Sequence, residues 1–295
     1  MRGSINYGSE RSYQLAMEVY DRQLAEWPVE AEQQWVATTI GDTFVLSWGD
    51  AANPPLVLFH GSAANSATWG ADAARFAAHF RVHAIDLPGE TGKSTPVRPP
   101  YAGTAYVQWL CEVLDGLAIE RPAICGLSLG GWLAFRFAAA QPARVDRLAV
   151  LAPGGIAPAR KKFLITTAVF QLLGGRGIER ITNLVFSPQP PPPGVAEGFA
   201  FMLKHYRARR DSLPVIPDDE LSRISAPTLV VGGAKDALLD MPATCGRLSR
   251  LIPHATIHLD PTGGHALLGE GARVVEFLVA QDVGRAPPPG VAPRT

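Results

Sequence analysis

"CGLSLGGW", residues 125–132, is the stretch on which the fold turns. It contains Gly126-Leu127-Ser128-Leu129-Gly130, a Gly-x-Ser-x-Gly run between a strand-like segment, "PAICGLS" (122–128), and a helix-like one, "LGGWLAFRFAAAQ" (129–141). A turn this sharp forces the serine into strained backbone angles and leaves room only for glycine at its flanks. The hydroxyl then stands exposed at a helix N-terminus, where the peptide dipoles favour developing negative charge. A plain glycine-rich turn is the competing reading. The residues further along the chain decide between them.

Serine is a weak nucleophile that needs a base, and the base needs an acid to orient it. Both are expected after later strands, in the order serine, acid, histidine. "LVVGGAKDALLD" (229–240) supplies Asp236 just past a strand, and "HLDPTGGHALLGE" (258–270) supplies His265 in a glycine-rich loop past the last one. Asp240 is the alternative acid, but it stands at a predicted helix start, where capping is the commoner job. Asp260 is close to His265 in sequence and is expected to support the loop. "FHGSAANSATW" (59–69) puts His60-Gly61-Ser62 at another strand end. The backbone N–H groups of Ser62 and Leu129 are then placed to form an oxyanion hole, with His60 a hydrogen-bonded structural residue.

Around these positions, short apolar runs alternate with helical patterns. "QWVATTI" (34–40) and "TFVLSW" (43–48) read as antiparallel strands about Gly41-Asp42. "LVLFH" (56–60), "RVHAIDL" (81–87), "PAICGLS", "RVDRLAVLAP" (144–153), "PTLVVGG" (227–233) and "ATIHLD" (255–260) complete the strands. "SATWGADAARFAAHF" (66–80) and "TAYVQWLCEVLDGL" (104–117) read as helices. The alternation predicts an α/β protein with a mostly parallel eight-stranded sheet covered on both faces. From 155 to 225 the rhythm breaks: "KKFLITTAVFQLL" (161–173) and "VAEGFAFMLKHYRARR" (195–210) are helical, and "SPQPPPPG" (187–194) is a spacer. The domains are therefore an N-terminal helical extension (1–33), a core (34–154 and 226–283), a helical lid (155–225) and a disordered tail (284–295). Phe163, Leu164, Phe170, Phe199, Phe201 and Met202 would line an acyl or alkyl pocket beneath that lid, with some of them serving as core. Lys161, Lys162, Lys204, Arg207, Arg209 and Arg210 are read as a solvated helix face rather than an anion site.

"DLPGETGKST" (86–95) imitates a nucleotide-binding loop, but the required first glycine falls on Leu87. Thr95-Pro96 and Pro99-Pro100 also forbid the helix such a loop must enter. It is not a phosphate cradle.

The chain resembles the α/β-hydrolase fold superfamily, of the lidded serine esterase (carboxylesterase) type. The likeness runs from about Thr43 to Val283 and includes "APTLVVGG" before the acid loop and "GGH" at the base. In that family a strand commonly ends in Asp-x-x-Gly-x-Gly-x-Ser on the rim of the site. Asp86, Gly89, Gly92 and Ser94 echo this with one additional residue. The resemblance implies carboxylic ester hydrolysis by a Ser128–His265–Asp236 triad through an acyl-enzyme. C–C bond hydrolysis, perhydrolysis, acyl transfer or lactone chemistry, and a non-catalytic ligand receptor share the same scaffold. Haloalkane and epoxide hydrolysis are disfavoured, because relatives that perform them use aspartate as nucleophile.

Composition bounds the partners. With 47% apolar residues the chain can bury a large core, and a formal net charge of zero argues against nucleic acid or an anionic membrane. No run reaches the roughly 18 apolar residues of a membrane span. The N-terminal stretch lacks a secretory signal pattern. Cys111, Cys125 and Cys245 are too scattered for a disulfide framework or a metal pair, so no cofactor or metal is expected and the expected location is cytoplasmic.

Overall fold

Runs rich in Val, Ile and Leu build strands here because alternate side chains can be buried on opposite faces of a covered sheet. The structure, a computed structural model, describes residues 3–158, 175–191, 194–209 and 211–280. The strands are β1 (Ala31–Val36), β2 (Thr43–Trp48), β3 (Pro55–Phe59), β4 (Arg81–Ile85), β5 (Ala123–Leu127), β6 (Leu148–Leu151), β7 (Thr228–Gly233) and β8 (Thr256–Asp260). They form one eight-stranded sheet in the order β1-β2-β4-β3-β5-β6-β7-β8. β2 pairs antiparallel with β1 and β4, and every other pairing is parallel. The carboxyl ends of β3, β5, β6, β7 and β8 therefore share one edge. The fold is that of an α/β-hydrolase.

The period of two sorts the core. Val57, Phe59, Ile124, Leu148, Val150 and Val230 enter one apolar layer with residues of α3 (Ala105–Gly116), α4 (Leu129–Ala140) and α8 (Met241–Leu251). Leu56, Leu58, Cys125, Ala149, Leu151, Leu229 and Val231 enter the other, with α1 (Glu10–Ala25), α2 (Ala73–Ala77) and α9 (Gly271–Val279). Tyr20 and Leu24 of α1 are buried in that second layer, so the N-terminal helix packs on the core.

Several boundaries differ from the sequence expectation. The first strand is Ala31–Val36 rather than 34–40, because Val36 pairs with Thr43 and the residues between them form a wide loop. Thr38 closes that loop, with its O accepting from the Gly41 N–H at 3.0 Å. The helix expected over 66–80 is a 3-10 stretch, Ser66–Asp72, followed by the short α2. Between β6 and β7 lie α5 (Gly175–Phe186), α6 (Val195–His205) and the short α7 (Asp218–Leu221). α6 stops five residues before the predicted end: Tyr206 turns extended and forms a bridge with Tyr7. Two glycines and β-branched content mask α5 in the sequence, both being weak helix signals. The "KKFLITTAVFQLL" helix, Phe163, Leu164, Phe170, Lys161, Lys162, Arg210 and the 284–295 tail lie outside the described residues. No helix of the described residues is long and apolar enough to cross a membrane.

Candidate active site

Ser128 joins β5 to α4 with φ 53° and ψ −105°, in a region that non-glycine residues rarely occupy. Its neighbours hold it there. A Cβ on Gly126 would overlap the Gly130 carbonyl, and one on Gly130 would overlap the Phe59 carbonyl. The Ser128 N–H donates to Leu151 O at 2.9 Å, and Ser128 O accepts from Trp132 N at 3.0 Å and Gly154 N at 3.2 Å. The strain is thus locked by β6 and the first turn of α4.

Asp236 and His265 meet, as their positions after β7 and β8 lead one to expect. His265 Nδ1 lies 2.8 Å from Asp236 Oδ2, and the two residues are 8% and 0% exposed. The other carboxylate oxygen accepts from Leu238 N at 2.7 Å and Leu239 N at 2.9 Å, so the acid is fixed at both ends. Backbone bonds tie the two loops together: Ala234 N donates to Asp260 O at 2.8 Å and Lys235 N to Gly263 O at 2.9 Å. Asp240 accepts from Ala243 N and caps α8, while Asp260 accepts from Thr262 within its own loop. Both therefore do the structural jobs their positions suggest. The His265 loop also touches α5, with Ala266 N donating to Val185 O at 3.3 Å.

The Ser62 loop lies against Ser128. A Cβ on Gly61 would stand 3.6 Å from Ser128 Cβ, ordinary van der Waals contact, so the loop packs directly beside that side chain. Leu129 opens α4, so its N–H has no intrahelical acceptor. Among the described residues, the Ser62 N–H has no internal acceptor either. Fully buried His60 braces the loop: Nδ1 donates to Gly61 O at 2.7 Å and Nε2 accepts from Leu87 N at 2.9 Å. Burial lowers its pKa below the usual histidine value, which keeps the ring neutral.

The rim loop explains its own motif. Buried Asp86 accepts from Tyr20 Oη, from the Ser66 N–H and hydroxyl, and from Lys93 N at 2.8 Å. A Cβ on Gly92 would overlap that carboxylate. Ser94 Oγ donates to Asp86 O at 2.6 Å and accepts from Phe44 N at 2.8 Å. Sequence reasoning passes over Glu90, which is 5% exposed and accepts from Ala63 N at 2.8 Å. The available signal is the one extra residue between Gly89 and Gly92.

Phe201 and Met202 are half-buried and pack against a cluster of Tyr7, Ala16, Ala63 and Tyr206, while Phe199 meets Phe186 edge-on at 5.7 Å. Arg209 is not on a solvated face: it pairs with Asp211 and lies 3.7 Å over the Tyr101 ring. Among the described residues no group of three or more His, Cys, Asp or Glu is arranged to hold a metal ion.

A family model described as the alpha/beta hydrolase family matches residues 56–277. The chain belongs to the alpha/beta hydrolase family. This hydrolase is similar to nap, a carboxylesterase of Bacillus subtilis strain 168, at 29% identity over 278 residues, 90% of this chain and 92% of that one. The crystal structure of carboxylesterase CesB (YbfK) from Bacillus subtilis superposes with a TM-score of 0.82 at 26% identity, covering 91% of this chain and 99% of that one. That of naproxen esterase (carboxylesterase NP) from Bacillus subtilis superposes at 0.78 and 27% identity, covering 92% and 99%.

Proposed function

We propose that this alpha/beta hydrolase cleaves carboxylic esters of small, largely apolar substrates through an acyl-enzyme on Ser128. The observation that carries the reading is the strained Ser128 turn on the same sheet edge as the Asp236–His265 pair, whose 2.8 Å contact fixes the imidazole. With Nδ1–H donated to Asp236, Nε2 is the nitrogen that takes the Ser128 proton as Oγ bonds to the carbonyl carbon. The carbonyl π electrons move onto oxygen, which the Ser62 and Leu129 N–H groups receive. Collapse breaks the bond to the alcohol oxygen, and His265 returns its proton to that leaving group. Water then attacks the acyl-enzyme, losing a proton to His265, and the acid leaves as the proton returns to Ser128.

Residues 155–225 act in this reading as a lid. α5 reaches the His265 loop through Val185, and α6 leads into Tyr206 beside the rim loop. Phe201 and Met202 contribute its apolar lining. The resemblance to two carboxylesterases over nearly the whole chain favours ester hydrolysis over the other reactions of this scaffold. Short p-nitrophenyl esters test the proposal: a burst followed by turnover is expected, with Ser128 labelled by a fluorophosphonate. Absence of both turnover and label would refute it. Dienone cleavage and peracid formation, assayed alongside, rank the alternatives.

A further inference from the structure

Glu90 is a carboxyl group buried beside the loop that would receive the oxyanion, and the acyl-enzyme scheme gives it no task. Its Oε2 accepts from Ala63 N at 2.8 Å, lies 3.5 Å from Ser62 Oγ, and lies 3.0 Å from Tyr206 Oη. Ala63 holds φ 56°, so the turn immediately after Ser62 is left-handed without a glycine to ease it. A conformation like this persists only when its surroundings over-determine it. The hydrogen bond from Ala63 to Glu90 is the restraint at hand.

Glu90 is itself held from three directions. Tyr206 Oη is within 2.8 Å of Gly89 O as well as 3.0 Å of Glu90, so its one proton serves either acceptor, and it accepts from Arg98 Nη2 at 2.9 Å. Arg98 Nε donates to Gly89 O at 3.2 Å. Asn6 Nδ2 reaches Gly89 O at 3.2 Å and Pro96 O at 2.7 Å. The strand-like bridge between Tyr7 and Tyr206, with Gly8 N on His205 O at 2.9 Å and Arg207 N on Asn6 O at 2.8 Å, pins the end of α6 to the N-terminal segment. Arg98 and Arg209 offset the buried negative charge.

We propose that Glu90 is a positioning residue for ester hydrolysis: by occupying the Ala63 N–H it fixes the turn that aims the neighbouring Ser62 N–H at the substrate carbonyl, and Tyr206 locks Glu90 in place. The inference rests on the acyl-enzyme reading. Its physical content is a division of labour between two adjacent amides. One is satisfied internally and the other is left for the oxyanion, which needs its donor only as charge develops. Loss of the restraint should therefore weaken the transition state more than the ground state.

The test compares Glu90→Ala, Glu90→Gln, Tyr206→Phe and Ser128→Ala on a p-nitrophenyl ester, with thermal melts recorded for each. Glu90→Ala is expected to lower kcat by about 10–100-fold with KM nearly unchanged, since a donor displaced by a fraction of an ångström loses part of a 10²–10³-fold contribution. Glu90→Gln keeps an acceptor for Ala63 and should restore kcat to within about threefold of the native protein. Tyr206→Phe should lower kcat by about three- to tenfold, and it carries the test if Glu90→Ala does not fold. A native kcat in both Glu90→Ala and Tyr206→Phe, or an effect confined to KM, overturns the proposal. If Ser128→Ala keeps its turnover, the acyl-enzyme reading itself fails and this inference goes with it. If only Ser128→Ala is inactive while the Glu90 and Tyr206 variants behave natively, the positioning role alone is lost.

Discussion

The wall of the site that carries Asp236 and His265 is made by two loops 29 residues apart, each leaving one of two adjacent parallel strands. The opposite wall, around Ser62, draws on Asn6, Ala63, Glu90, Arg98 and Tyr206, joined by side-chain hydrogen bonds such as that from Tyr206 to Gly89, which bridges 117 positions of chain. The first wall comes with the sheet: once β7 and β8 pair, their loops start side by side. The second needs the N-terminal segment and the chain beyond α6 to dock on the rim loop. Chemistry that depends on neighbouring strands is therefore inherited from topology. Chemistry that depends on remote segments has to be assembled, and can come apart in steps.

That contrast can be broken most directly at Ser128, the proposed nucleophile. Ser128→Ala is expected to lower ester kcat by about 10⁶-fold and Asp236→Asn by about 10⁴-fold, the latter because the amide favours the wrong imidazole tautomer. Both are read from steady-state kcat per mole of folded protein. Asp236→Asn within tenfold of native would show that the His265 wall does not work as its geometry suggests.

A smaller effect sharpens the same wall. A Cβ on Gly264 would overlap the Ser187 carbonyl just past α5, so Gly264→Ala must push the His265 loop or the end of α5 aside. A displacement near 1 Å costs about 10²-fold in kcat. An unchanged kcat with an unchanged melting temperature would mean that this contact gives way freely.

The smallest effect falls away from both walls and serves as their reference. His83 on β4 is buried beside Ser47 at 2.9 Å, and burial lowers its pKa from 6.5 to about 4. Between those values the unfolded chain binds a proton that the folded one refuses, so stability is present above pH 6.5 and is lost on acidification toward pH 4. From pH 7.5 to 5.5 this contributes a loss of about 1.3 kcal/mol. His83→Asn should flatten that slope, which urea midpoints at the two pH values would reveal; an unaltered slope would assign the acid lability to other groups. Glu90, whose pKa burial raises, acts with the opposite sign: between its unfolded and folded values the folded chain binds a proton that the unfolded one releases, so its contribution is lost as pH rises through the folded value.

Legibility in the sequence divides along the same line. Ser128, Asp236 and His265 announce themselves because each sits at the end of an apolar run, and strand ends of a parallel sheet converge on one edge. His60, Asp240 and Asp260 are also readable, since their partners lie within a few residues or on the next strand. Glu90 is not. Nothing local distinguishes it from a solvated glutamate on a glycine-rich loop; its partners are Ala63, 27 positions away, and Tyr206, 116 positions away. Arg209 escapes for the same reason, because a cation beside two others reads as a wet helix face until Tyr101 appears beneath it. The first strand slips because its partner fixes its register, and Trp35 is held by Phe44 across the pair, not by its own neighbours.

The geometry at residue 128 is dictated by Gly126 and Gly130, not by the side chain that sits between them. Glycine would occupy that positive-φ position with less strain than serine, and so, on the acyl-enzyme reading, a chain that gave up its hydroxyl would hold together better and turn nothing over. At this one position, the more relaxed backbone and the loss of the proposed nucleophile come with the same substitution.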